Sequence, residues 1–153
     1  MNFIQFKCRE RKINFVWFRV FYMYGQYQRK GSVIPTIIDS LQNLKKPNLS
    51  SPNNLNDYVH VNDVCDAIIR TIDKKTTNGI FNLGSGKLIS VFDIYMKILR
   101  LMKLNNIPKF QINIKKINDN KSNFACLKRI KKQLKWYPKI NLDVALKSLV
   151  KLK

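Results

Sequence analysis

Glycine turns, a lone histidine and three cysteines are the residues whose types and spacing invite a chemical reading. Gly84-Ser85-Gly86 follows an apolar run and precedes a helical one, the setting in which backbone N–H groups cradle a phosphate. The third glycine of a GxGxxG turn would fall on Ile89, so the dinucleotide pattern fails. Gly79 and Gly84 have P-loop spacing, yet Ser85 stands where such a loop needs lysine. The segment reads as a tight turn. His60 is the only histidine and reads as packed or hydrogen-bonded beside a strand, not as a catalyst. Cys8, Cys65 and Cys126 are odd in number, widely spaced and free of CxxC, which argues against a metal site or disulfide framework. A reducing cytoplasm fits them.

The elements that position these residues alternate between strand and helix. Residues 1–12 read as an amphipathic helical stub. Residues 14–21 (Asn-Phe-Val-Trp-Phe-Arg-Val-Phe) are almost continuously apolar, as in a parallel strand covered on both faces. A polar loop at 25–31 leads to a helix at 33–44, where Pro35 is tolerable only in the first turn. Residues 47–56 form a turn-rich loop with a possible short strand at Leu49, and 58–61 are extended. Asn62 is a plausible N-cap for a helix reaching Asp73, with the apolar stripe Val64, Ala67, Ile68 and Ile72. A second buried strand covers 79–83. Ser90 and Asp93 form a capping box before Val91, Ile94, Ile98 and Leu101. Residues 110–114 alternate like a strand, and helices at 127–134 and 142–152 close the chain. The alternation argues for an α/β fold.

Bulk properties set outer limits. The 153 residues, 45% hydrophobic and 11% aromatic, suit one globular domain and not a disordered tail. No apolar run approaches the ~20 residues of a membrane span, and residues 1–12 resemble no signal peptide. The net charge of +20 would suit a nucleic acid or an anionic surface. Lysine's excess over arginine and its scatter along the chain fit drift of an AT-rich coding sequence instead. On that reading any nucleic-acid binding is non-specific. The only acids after Asp93 are Asp119 and Asp143, so the last third is the most basic.

Several segments, in order, carry a resemblance. Residues 19–25 (Arg-Val-Phe-Tyr-Met-Tyr-Gly) are similar to R-x-F-N-x-Y-G, and 31–35 (Gly-Ser-Val-Ile-Pro) look like the loop-to-helix step that follows it. Residues 56–64 match R-D-[FY]-[IV]-x-V-x-D-[VL] apart from Asn56 in place of Arg. Residues 81–86 with Ser90-Val91 match [YF]-N-[IL]-G-x-G…S-[VI], and Leu134 to Leu142 resembles L-G-W-x-P…L with Lys135 in place of Gly. The chain thus resembles the C-terminal half of the NAD-dependent epimerase/dehydratase family, the extended short-chain dehydrogenases acting on nucleotide sugars.

That resemblance implies the last strands of an incomplete Rossmann-like parallel sheet plus the small substrate-binding lobe, with residues 1–153 as the substrate part and the NAD-binding part absent. It implies a cofactor contact at Phe21 and nucleotide-sugar contacts at Tyr22, Ser32, Val33 and Asn56. Tyr22 replaces the usual Asn, and Asn56 replaces an Arg that grips phosphates, with Arg29 and Lys30 nearby to compensate. Asp57 and Asp63 read as ordering a loop and a helix start, and Cys126 as a lost helix cap. The family's NAD(P) turn lies upstream of Met1 in complete relatives. Its Tyr-x-x-x-Lys pair is missing too: after Tyr22, Tyr24, Tyr27, Tyr58, Tyr95 and Tyr137 the fourth residues are Gln26, Gln28, Gly31, Asn62, Leu99 and Asn141. No catalytic residue and no cofactor binding by this chain alone are therefore expected. Three readings stay open: an inactive truncated enzyme, half of a split enzyme completed by a separate NAD-binding chain, or a basic module for nucleic acids or anionic surfaces.

Overall fold

The computed structural model describes residues 2–74, 77–104 and 123–151, so the expected strand at 110–114 lies outside the described residues. After α1 (Asn2–Glu10), the apolar run becomes β1 (Val16–Val20), parallel to β4 (Gly79–Leu83) with Val16 opposite Gly79 and Val20 opposite Leu83. Pairing runs past both ends, since Gly79 N–H donates to the Phe15 carbonyl at 2.7 Å and Phe21 N–H to Leu83 at 2.9 Å. Among the described residues the other edge of β1 has no strand beside it. Nor are its faces both covered, as its composition had suggested. Trp17 is 38% and Val20 41% exposed.

Between β1 and β4 the chain builds a second sheet. β2 (Tyr22–Tyr24) is parallel to β3 (Leu55–His60), and β3 is antiparallel to β5 (Leu88–Ser90), a strand too short to announce itself in the sequence. No strand forms at Leu49. Against this sheet pack α2 (Val33–Gln42), α4 (Val91–Leu101) and α6 (Leu142–Lys151), whose Ile34, Ile37, Leu41, Ile94, Ile98 and Leu146 enclose Tyr24 and Tyr58. The i, i+3, i+4 spacing of these residues gives each helix one apolar stripe. A second core joins β4 to α3 (Val61–Asp73) and α5 (Lys128–Leu134) around Phe81, Leu83, Ala67, Ile130 and the fully buried Trp136. Only half of the expected α3 stripe is used. Val64 and Ala67 are buried, while Ile68 is exposed and Ile72 is 68% exposed.

The helix ends show which local signals were sufficient. Ser90 and Asp93 form the expected capping box. At α3 the cap is His60, not Asn62: the His60 Nδ1 accepts the Asn62 N–H at 3.2 Å. A neutral imidazole is required for that bond, and burial lowers the His60 pKa from its ordinary value, with Asp63 opposing. At α5 the N-cap is Leu127, which offers no side-chain cap; Cys126 is exposed just before it. The C-cap, Lys135, adopts a left-handed conformation at φ 49° that a side chain disfavours.

Two outcomes follow from these ends. The unfolded chain protonates His60 first, so the stability this residue contributes is full above about pH 6.5 and is lost as pH falls toward the lowered folded pKa. Thermal unfolding between pH 7.5 and 5.5 will show this loss, and His60→Asn, which keeps a capping oxygen, will remove it. Lys135→Gly will raise stability in urea unfolding by about 1 kcal/mol, because glycine occupies the left-handed region freely.

Candidate functional site

Of the residues singled out in the sequence, Phe21, Tyr22 and Asn56 lie around β2 and the β3 strand beside it. Phe21 ends the β1 pairing and is half-buried against the second core. Tyr22 lies opposite Tyr58 across the β2–β3 pair, with ring centroids 5.6 Å apart, and is 54% exposed. Asn56, two residues before Tyr58 and so on the same face, donates from Nδ2 to the Tyr58 hydroxyl at 3.5 Å. Tyr22, Tyr58 and Asn56 thus form one polar cluster on one sheet face. Tyr58 was not expected in it, although the two-residue spacing from Asn56 carried that signal.

Ser32 and Val33 stand apart at the start of α2. Ser32 is the N-cap, but its hydroxyl makes no capping bond and its N–H is held by the Arg29 carbonyl at 3.2 Å. Val33 packs beside the first core. Pro35 has no N–H and Thr36 N–H bonds Ser32, so Val33 and Ile34 supply what free N–H groups this first turn has.

The glycine turn is not available to a phosphate. Asp57, fully buried, accepts from Ser85 N–H at 2.5 Å, Ser85 hydroxyl at 2.6 Å, Gly86 N–H at 2.9 Å and Ala125 N–H at 2.8 Å. An internal carboxylate already occupies the place an anion would take, and its charge would repel one. Gly84 allows the approach, since a Cβ there would sit 2.5 Å from Asp57 Oδ2. Among the described residues this turn does not fit the pyrophosphate of a dinucleotide. Asp57 orders a loop, as expected. Asp63 acts differently from the expectation: its carboxylate holds the Lys139 and Ile140 N–H groups at 3.0 and 3.1 Å, pinning the segment before α6 in place of opening α3.

The cluster's chemistry is hydrogen bonding more than proton transfer. Burial pushes the Tyr24, Tyr58 and Tyr95 hydroxyls up from their ordinary pKa. Asp63 and Asp143 add to the rise at Tyr24, and the Asn56 bond partly offsets it at Tyr58. A phenol acting as base near neutrality needs the opposite shift. No group of three or more His, Cys, Asp or Glu side chains among the described residues could hold a metal ion, and no helix there is long and apolar enough to cross a membrane.

A parallel strand pair, β1 with β4, beside a small mixed lobe reached where β1 gives way to β2, defines a Rossmann-like α/β protein. The sequence profile of the NAD dependent epimerase/dehydratase family matches residues 4–84, and the chain belongs to that family. It is 26% identical over 162 aligned positions to dTDP-4-dehydro-6-deoxyglucose reductase of Escherichia coli, covering 98% of this chain and 48% of that protein. It is 31% identical over 94 residues to ADP-L-glycero-D-manno-heptose-6-epimerase of Fusobacterium nucleatum, covering 61% of this chain and 26% of that one. The UDP-glucose 4-epimerase of Thermotoga maritima, solved with UDP-glucose, superposes with a TM-score of 0.82 at 23% identity over 97% of this chain and 48% of its own. The dTDP-glucose 4,6-dehydratase of Bacillus anthracis, solved with NAD, gives 0.79 at 20% identity over 94% and 46%. The chain spans no more than about half the length of these relatives.

Asp57→Ala will remove the acceptor for three N–H groups and a hydroxyl, costing about 3 kcal/mol or more in urea unfolding. Asp57→Asn will recover only part of this, because its NH₂ faces a donor.

Proposed function

We propose that this chain supplies the substrate-side half of a nucleotide-sugar epimerase, dehydratase or reductase, and that it is inactive until an NAD-binding unit, in the same or a separate polypeptide, completes the sheet at β1. The observation that carries this reading is the open edge of β1. Trp17 and Val20 are partly exposed there, and Phe3, Ile4 and Phe6 of the preceding α1 are exposed as well. A partly apolar strand with unpaired backbone groups is a template for a further strand. The relatives, which reach about twice this length, have chain to supply one.

Within that assembly Tyr22 and Asn56 serve as hydrogen-bonding contacts for the sugar nucleotide, Ser32 and Val33 present the α2 N-terminus to its phosphates, and Phe21 lies beside the nicotinamide. The buried phenols support assigning the proton transfer to the completing unit. With Tyr22 and Asn56 both departing from the family pattern, the sugar or its mode of binding differs from that of the relatives.

Titration calorimetry of the 153-residue chain alone will detect no NAD binding, and micromolar affinity would overturn the proposal. Co-expression with the NAD-binding half of a related epimerase will raise soluble yield and the unfolding temperature. Burying even two or three large side chains contributes about 1.5–3 kcal/mol each, a sizeable part of an ordinary ~5–15 kcal/mol stability. A monomer that unfolds cooperatively alone and is unchanged by the partner would contradict it.

A further inference from the structure

Two surface hollows lie side by side, because both are lined by Ser85 and Pro138. The first, of about 570 Å³, has Lys131, Lys135 and Tyr137 on its walls. The second, of about 430 Å³, carries Lys87, Lys97 and Lys139. Asp143 is the one acid lining either, and it is already paired with Lys97 at 2.6 Å. These two adjoining lysine-lined hollows are together termed the basic groove. Of the expected nucleotide-sugar and cofactor contacts, Phe21, Tyr22, Ser32, Val33 and Asn56, none lines it, although Tyr58 of the candidate cluster borders the second hollow.

Two features of α5 mark the charge as more than scattered lysine. Lys128, Lys131 and Lys132 fall at i, i+3 and i+4 of α5 and share one helix face, of which Lys131 lines the first hollow, while Ile130 and Leu134 are buried on another. Like charges at this spacing destabilise a helix, and among the described residues no ion pair relieves them. Lys135 also keeps a left-handed backbone that glycine would adopt without strain. The positive face is thus held against two local preferences of the chain.

We propose that this groove binds single-stranded nucleic acid without sequence preference, its lysines facing successive phosphates and Tyr137, 56% exposed between them, stacking on a base. Lysines line both hollows, so the basic lining offers more than one phosphate needs. A concave track fits a strand better than a flat bilayer. Lysines act as point charges without the bidentate fork that reads base edges, which suits binding that ignores sequence.

The test is fluorescence anisotropy of the full chain with a labelled oligo(dT) of about 15 nucleotides, over a range of salt. The pair Lys131→Gln with Lys135→Gly will bind about 10-fold more weakly, and its log–log salt slope will be shallower by about 1.4, the value for two lost phosphate contacts on a single strand. Lys135→Gly alone will weaken binding while the protein becomes more stable, so unfolding is not the cause. Tyr137→Ala will lower affinity about 10-fold at an unchanged salt slope. Arg11→Gln with Lys45→Gln, which removes the same charge away from the groove, will stay within about twofold of the parent, since neither contacts the strand. An equal loss in that control would show that net charge alone holds the strand and would overturn the proposal. So would an absence of oligonucleotide binding alongside groove-dependent binding to phosphatidylserine vesicles.

Discussion

Asp57 is where the two sheets of this protein are tied together. Its backbone belongs to β3 in the three-stranded sheet, while its carboxylate reaches the turn that follows β4 and the segment that leads to α5. Charge-assisted bonds of this kind are stronger than neutral ones, and four donors share one buried carboxylate here. Without them the ends of β4 and the approach to α5 would leave backbone N–H groups unpaired in the interior, an expensive condition. The same contact decides what the turn can do: a phosphate cannot enter where a carboxylate already sits.

Asp63 makes a second tie of the same type. It accepts from Lys139 and Ile140, and its backbone carbonyl accepts the Trp136 indole N–H at 3.0 Å. The segment between α5 and α6 is therefore held by one residue at the start of α3. In a chain with 29 basic and 9 acidic residues, two of the few acids are buried as internal connectors. The acids that remain are too few to pair with the lysines one for one, and among the described residues no ion pair involves a lysine of α5. Structural use of acids and surface basicity are thus linked.

Much of the fold was legible in the sequence because it rests on local patterns. The apolar runs gave β1 and β4, the Ser90–Asp93 pair gave the start of α4, and the order of motifs gave the family. What escaped depends on distant partners. The His60 cap required knowing that β3 runs directly into α3 with no intervening loop. The strand at Leu88–Ser90 exists through pairing with Leu55–Asp57 and has little propensity of its own. Asp63 looked like a helix-start residue, because its bonds to positions 139 and 140 span more than seventy residues of sequence. At the candidate site, Tyr22 and Asn56 were singled out by motif, but their meeting through Tyr58 needed the β2–β3 register. The exposure of Trp17 and Val20 was hidden for a different reason: composition records that a strand suits cover, not which segment provides it.

The proposed function requires β1 to accept a neighbouring strand on its open side. Amide hydrogen exchange resolved to residues 16–20 tests this most directly, measured on the chain alone and after mixing with the NAD-binding half of a related epimerase. Alone, the β1 amides directed away from β4 will exchange rapidly while those bonded to β4 are protected. With the added half, the outward amides will become protected as well. If they are already protected in the isolated monomer, or if protection with the added half appears elsewhere and not along β1, the open edge is not the joining surface.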